Sequence, residues 1–154
     1  MNERTQKRPG RGRSTPSPAF RLEFTADEGD VDELGHISNI AYVRWVQEAA
    51  VAHSSAVGFT PEIYLAEQAI FVVRRHEITY LRPAYAGQDI VLSTQVLWWR
   101  GAQSDRSTRI ERRSDGILLA EALTRWAYVD TRSGKPRRIP TRLEVAFYGD
   151  QEAG

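Results

Sequence analysis

The chain has no cysteine among its 154 residues. That excludes disulfides, thiolate metal sites and a cysteine nucleophile, and it leaves the redox compartment open. Histidine is scarce, at three residues, and His36, His53 and His76 lack the spacing of a metal-ligand set. No apolar run approaches the roughly 18 residues needed to span a membrane, and no apolar signal-peptide core follows Met1. A cytoplasmic protein without membrane association is expected. A one-sided charge is missing as well, with a net charge of +1. Five of the 21 basic residues stand in residues 1–17 against the single acid Glu3. The remainder is therefore mildly acidic and offers no broad basic footprint for nucleic acid. No helix-turn-helix segment fits before residue 19.

What remains is ordinary globular material. The length suits one domain able to bury a core without staples. Residues 1–18 are mostly Arg, Pro, Gly, Ser and Thr, too poor in apolar groups to offset ordering entropy, so a disordered basic tail is expected. Residues 19–148 form the domain and residues 149–154 a flexible C-terminus. Phe20, Leu22 and Phe24 alternate with Arg21, Glu23 and Thr25, the period of a half-buried strand. Over residues 40–58 the period changes: Tyr42, Trp45, Val46, Ala49, Ala50 and His53 recur at helical steps. Ser38 or Asn39 can cap that helix, Gly58 suits its end, and Pro61 opens a short second helix over 61–67. Four strands follow, over 70–81, 89–99, 103–113 and 117–129, with a hairpin signal at Ser114-Asp115-Gly116. Residues 141–148 read as helical or extended alike. One long helix within a five-strand set is α+β, and the economical packing is a curved antiparallel sheet wrapped around the helix. Its open edges call for a partner, most simply a two-fold one.

The chemistry concentrates just before the long helix. Asp30, Asp32, Glu33, Gly35, His36 and Asn39 lie within ten residues, on a turn aimed at a helix N-terminus. Free backbone N–H groups and a partial positive charge at such an end can hold developing negative charge. Asp30 reads as a turn residue and Glu33 as solvated.

The run Asp32-x-x-Gly35-His36-x-x-Asn39-x-x-Tyr42, with Trp45-Val46-Gln47-Glu48-Ala49 after it and Arg74-Arg75-His76-Glu77-Ile78-Thr79-Tyr80-Leu81-Arg82-Pro83 later, resembles the hotdog-fold acyl-CoA thioesterases related to 4-hydroxybenzoyl-CoA thioesterase. The Gly-His-x-x-Asn form of the loop is also similar to acyl-ACP thioesterases. The resemblance covers residues 19–147. It implies a hotdog fold, an active site at the interface of a homodimer or homotetramer, acyl-CoA or acyl-carrier protein as substrate, and no metal or redox cofactor. It assigns Asp32 as the catalytic carboxylate and the Asn39 backbone N–H as the group that polarises the thioester oxygen. Gly35-His36 replaces apolar residues of the 4-hydroxybenzoyl branch, a departure that bears on its aromatic substrate.

Within that frame Asp32 either attacks the carbonyl or deprotonates a water; an Asx turn is its purely structural role. His36 orients water or substrate, or anchors the loop. Glu48, on the helix, is the reserve carboxylate. Tyr42, Arg74, Arg75 and Arg82 are the candidates for substrate contact, the arginines through the phosphates of CoA; the Arg137-Arg138 pair is a further candidate of that kind. His53 reads as an interior residue. A hotdog hydratase or dehydratase, and a non-catalytic acyl-CoA-binding module, are the alternatives.

Overall fold

The structure, a computed structural model, describes residues 12–149. The expectations for residues 1–11 and 150–154 lie outside it. Five strands, β1 (Phe20–Thr25), β2 (Ala69–Tyr80), β3 (Asp89–Arg100), β4 (Gln103–Arg112) and β5 (Leu118–Asp130), form one antiparallel sheet in the order β1-β3-β4-β5-β2. Helix α1 (Asn39–Ala56) packs on its inner face, followed by α2 (Pro61–Glu67). The segment that sequence left open is a short helix, α3 (Thr141–Ala146).

Helix α1 starts where Ser38 turns its hydroxyl to the Ile40 N–H, at 3.2 Å, a cap worth about 1 kcal/mol. It ends at Gly58, whose φ of +99° is a left-handed conformation that suits glycine. Its buried positions are Ala41, Tyr42, Trp45, Val46, Ala49, Ala50, His53 and Ser54, one continuous stripe at three- and four-residue steps.

The core under that stripe is divided. One apolar cluster holds Tyr42, Trp45, Val46 and Ala49 against Ile90, Leu92, Ile110, Ala120 and Ala122. The other holds Tyr64, Val96, Trp99, Tyr128, Leu143 and Phe147. Between them on each element stands a polar side chain: His53 on α1, Thr94 on β3, Arg106 and Thr108 on β4, and Thr124 on β5, all buried. They are tied by Thr94–Thr108 (3.0 Å), Arg106–Thr94 (3.0 Å) and Arg106–His53 (2.9 Å) hydrogen bonds. His76 on β2 extends the seam through Nδ1 to the Thr124 hydroxyl, at 3.0 Å.

Two irregularities re-aim side chains. The register of β3 shifts between Val96 and Trp98, so Trp99 rather than Trp98 enters the core. The register of β2 shifts between Val73 and Arg75, and Arg74 and Arg75 are both exposed. A bulge is what allows consecutive residues to escape strict alternation.

The N-terminal segment departs from expectation. Residues 13–17 lie along β3 where β1 no longer pairs with it. The Ser17 N–H donates to the Val96 carbonyl (2.8 Å), the Ser17 hydroxyl accepts from the Val96 N–H (3.0 Å), and the Trp99 N–H donates to the Arg13 carbonyl (2.7 Å). The Arg13 guanidinium stacks 3.9 Å over the Tyr148 ring and pairs with Glu144. A disordered stretch through residue 18 therefore does not describe residues 12–18. Order there comes from satisfying the backbone groups of a strand edge, which needs no apolar side chains.

Candidate active site

The loop before α1 is a small closed hairpin. Val31 bridges Ile37, the Asp32 N–H donates to the His36 carbonyl (2.8 Å), and the Ser38 N–H donates to the Asp30 carbonyl (2.7 Å). The Ile37 N–H donates to the Ala84 carbonyl (2.8 Å), which ties the loop to the turn after β2. Gly35 takes a φ of +81° at the tip, a conformation costly for residues with a Cβ.

Asp32 is exposed at this tip. Its Oδ1 accepts from the backbone N–H groups of Leu34 (2.9 Å) and His36 (3.2 Å), so one oxygen makes the Asx turn. Oδ2 carries no hydrogen bond among the described residues. Asp30 is different. Both its oxygens meet the Arg44 guanidinium, one at 2.9 Å, and that pairing holds its carboxyl below the usual range. Arg44 also reaches Glu48, one turn on, at 3.4 Å. Glu48 is exposed and committed to that surface pair. Of the three carboxylates, Asp32 alone has no cationic partner among the described residues.

Asn39 is the first residue of α1, and its backbone N–H makes no hydrogen bond among the described residues. It is exposed. The hairpin base and the helix start are joined by the single residue Ser38, so a free carboxylate oxygen and a free helix-end N–H stand on one hydrogen-bonded loop. His36 is half-buried, edge-on to Tyr85 with ring centroids 5.3 Å apart. Its link to Asp32 runs through the backbone.

Tyr42 is buried at 3% exposure, against Trp45 and Tyr80. It supports the site from below and has no open face in a single chain; burial pushes its phenol up. Tyr80 was missed by the sequence reading. Its hydroxyl donates to the Asn39 carbonyl at 3.4 Å, which marks the end of β2 that meets the loop. Arg82, exposed just beyond Tyr80, stands at that same end. Arg75 lies five residues up the strand, about 17 Å away at the rise of an extended chain. Within one chain the structure thus brings Asp32, His36, Asn39 and Arg82 to one end and leaves Arg74 and Arg75 at the middle of β2. Exposed Leu34, Ile40, Tyr80, Leu81 and Tyr85 surround the first end. Among the described residues no three His, Asp or Glu side chains converge as a metal site would require, and no helix is long and apolar enough to cross a membrane.

A second concavity lies toward the far end of α1, lined by Ser54, Tyr64, Phe71, Trp99, Arg106, Trp126 and Phe147 among others, with a cavity volume of about 140 Å³. The sequence reading passed over Arg106, because it sits in a weakly alternating strand. Its inward position shows only once the β3–β4 register pairs it with Val96.

Comparison with known proteins agrees with the architecture. The Thioesterase-like superfamily profile matches residues 28–147. The acyl-CoA thioester hydrolase YbgC of Escherichia coli O6:H1 is 27% identical over 128 residues, covering 83% of this chain and 95% of that protein. The acyl-CoA thioesterase YbgC of Haemophilus influenzae is 27% identical over 120 residues, covering 77% and 87%. Among solved structures, the 1,4-dihydroxy-2-naphthoyl-CoA thioesterase Slr0204 of Synechocystis superposes with a TM-score of 0.78 at 16% identity, over 84% of this chain and 95% of that one. The five-strand sheet around α1 is thus the hotdog fold, and the family match spans the Asp32 loop, the whole helix and every strand but β1. By fold and by sequence the chain belongs to the thioesterase-like superfamily.

Proposed function

We propose that this protein hydrolyses an acyl-CoA thioester to a free acid and CoA. The Asp32 carboxylate acts as nucleophile or general base, and the Asn39 N–H receives the developing oxyanion. The observation that carries the reading is that Asp32 Oδ2 and the Asn39 N–H, both without partners among the described residues, belong to one loop at a helix N-terminus. An attacking oxygen and a preorganised donor are the two elements that acyl transfer needs. Membership of the superfamily and the names of the YbgC relatives support the same chemistry.

The site is completed by a second copy of the chain. β2 is an edge strand of 12 residues, and a long open edge is a pairing surface. Antiparallel pairing of two β2 edges about mid-strand sets Arg74 and Arg75 of one copy beside Arg74 and Arg75 of the other. That arrangement gathers the Arg74 and Arg75 guanidinium groups of both copies at the centre of the paired edges, where they suit the phosphates of CoA, with Arg82 at the loop end. Acyl-carrier protein is the alternative carrier.

Free-thiol release tests the reading. The purified protein should release thiol from at least one member of a panel spanning short, long and aromatic acyl-CoAs. Release only from acyl-carrier-protein thioesters would change the carrier, and no release from either would remove hydrolysis in favour of a binding role.

A further inference from the structure

The cavity at the far end of α1 contains an anomaly. Arg106 is 5% exposed and forms no ion pair among the described residues. One nitrogen, Nη1, is spent on His53 and Thr94, both neutral. Its chain neighbour Asp105 is committed to Arg125, and no carboxylate lines the cavity. Nε and Nη2 make no hydrogen bond, and the side chain lines the cavity. The Trp126 indole Nε1, in the same lining, is buried without an acceptor. The Ser104 hydroxyl, also there, makes no hydrogen bond among the described residues either.

A buried cation without a counter-ion is strongly unfavourable. A cavity holding a guanidinium and an orphan indole N–H, with hydroxyls but no carboxylate in its lining, offers donors and lacks an anionic acceptor. Nε and Nη2 form the side-on fork of a guanidinium, the edge that takes a carboxylate through two parallel hydrogen bonds. Around these donors the walls are apolar and aromatic, from Phe71, Trp99 and Phe147. The volume of about 140 Å³ is close to the ~150 Å³ of an apolar cavity that accepts benzene.

We propose that this cavity is a binding site for a small apolar monocarboxylate, a ring or branched alkyl group of roughly benzene size bearing one carboxylate that is held by Arg106 and Trp126. The site is separate from the Asp32 loop. Ala50, on its wall, lies eleven residues along α1 from Asn39, about 16 Å by helical rise. The proposal therefore does not depend on the hydrolytic reading.

The test uses the full chain at neutral pH, with benzoate as probe and benzamide as its uncharged counterpart. Benzoate should bind saturably, with roughly millimolar affinity, and shift the Trp126 indole N–H and the Ser104 and Arg106 amide resonances. Benzamide should bind at least about tenfold more weakly. Arg106→Met, of similar length and uncharged, should abolish benzoate binding, and Arg106→Lys should weaken it. Trp126→Phe removes the second donor while leaving the seam intact, so it reports even if the Arg106 variants fold poorly; it should weaken benzoate several-fold. Equal binding of benzoate and benzamide, shifts confined to other residues, or no saturable binding would each overturn the proposal.

Discussion

The Arg106 Nη1 donates to His53 Nδ1 at 2.9 Å, inside a seam that splits the core in two. The direction of that bond requires a neutral imidazole, since a protonated His53 has no acceptor to offer. Burial, and secondly the charge of Arg106, lower the His53 pKa to about 3. His53 is also stacked on Phe20 and edge-on to Phe147, so protonation would have to break aromatic packing as well.

Stability should therefore fall on mild acidification. Between pH 6.5 and about 3 the unfolded chain binds a proton at His53 that the folded chain excludes, so folding loses ground as pH drops, by at most about 1.4 kcal/mol per unit. His76, lowered by burial, adds to the same slope. Asp30, Asp115 and Asp130 are depressed by their hydrogen-bond partners and lose their contribution only below about pH 4. Urea unfolding between pH 6.5 and 5 isolates the histidines. His53→Asn keeps an acceptor and cannot titrate, so it should flatten much of that slope; an unchanged slope would place the titration elsewhere.

A second expectation concerns the N-terminal segment. The Tyr148 hydroxyl accepts from the Trp99 indole (3.0 Å) and donates to the Thr15 carbonyl (2.7 Å). Tyr148→Phe strands a buried indole N–H and should cost about 1–2 kcal/mol, read as a fall in thermal midpoint of several degrees. Deleting residues 1–17 should cost at least as much, because it also uncovers the backbone of β3 at Val96 and Trp99. No loss in either variant would mean that the segment is not docked in solution.

Self-association is the third. The β2 edge and the exposed Leu34, Ile40, Tyr80 and Leu81 call for a second copy. Sedimentation at micromolar concentration should show a dimer or larger species, and the thermal midpoint should rise with protein concentration. A stable monomer would remove the interface site along with the dimer.

Much of this was legible in the sequence, for identifiable reasons. Alternation along β1 and helical spacing along α1 are set by burial of one face, so Phe20, Leu22, Trp45 and Val46 announced their elements. The Asp32 to Tyr42 run carried the family. What could not be read depends on register or on backbone pairing. One bulge, on β3, moved Trp99 inward, and another, on β2, turned Arg74 and Arg75 outward together. The neighbour that makes Arg106 a seam residue is 53 residues away. Residues 13–17 are held by main-chain groups, which any sequence supplies, and by the polar side chains of Ser17 and Arg13, which no apolar pattern announces. Tyr42 fits the motif as a substrate contact, yet its place on the buried stripe of α1 puts it under the site.

The sharpest expectation separates three carboxylates. Asp32→Asn keeps Oδ1, and with it the hydrogen bonds from the Leu34 and His36 N–H groups, so the loop stays closed while charge and basicity go. Asp32→Ala would open the Asx turn as well and confound the result. If Asp32 acts in the transition state, Asp32→Asn should lower kcat by about a hundredfold or more with little change in KM. Asp30→Asn weakens the tie to Arg44 and should cost far less in rate, because both oxygens of that carboxylate are already occupied. Glu48→Gln removes only an exposed pair with Arg44 and should leave kcat within a few-fold. The decisive pattern is the contrast. Full activity in Asp32→Asn together with a collapse in Glu48→Gln would move the catalytic carboxylate onto α1 and reduce the Asp32 loop to the turn that positions the helix.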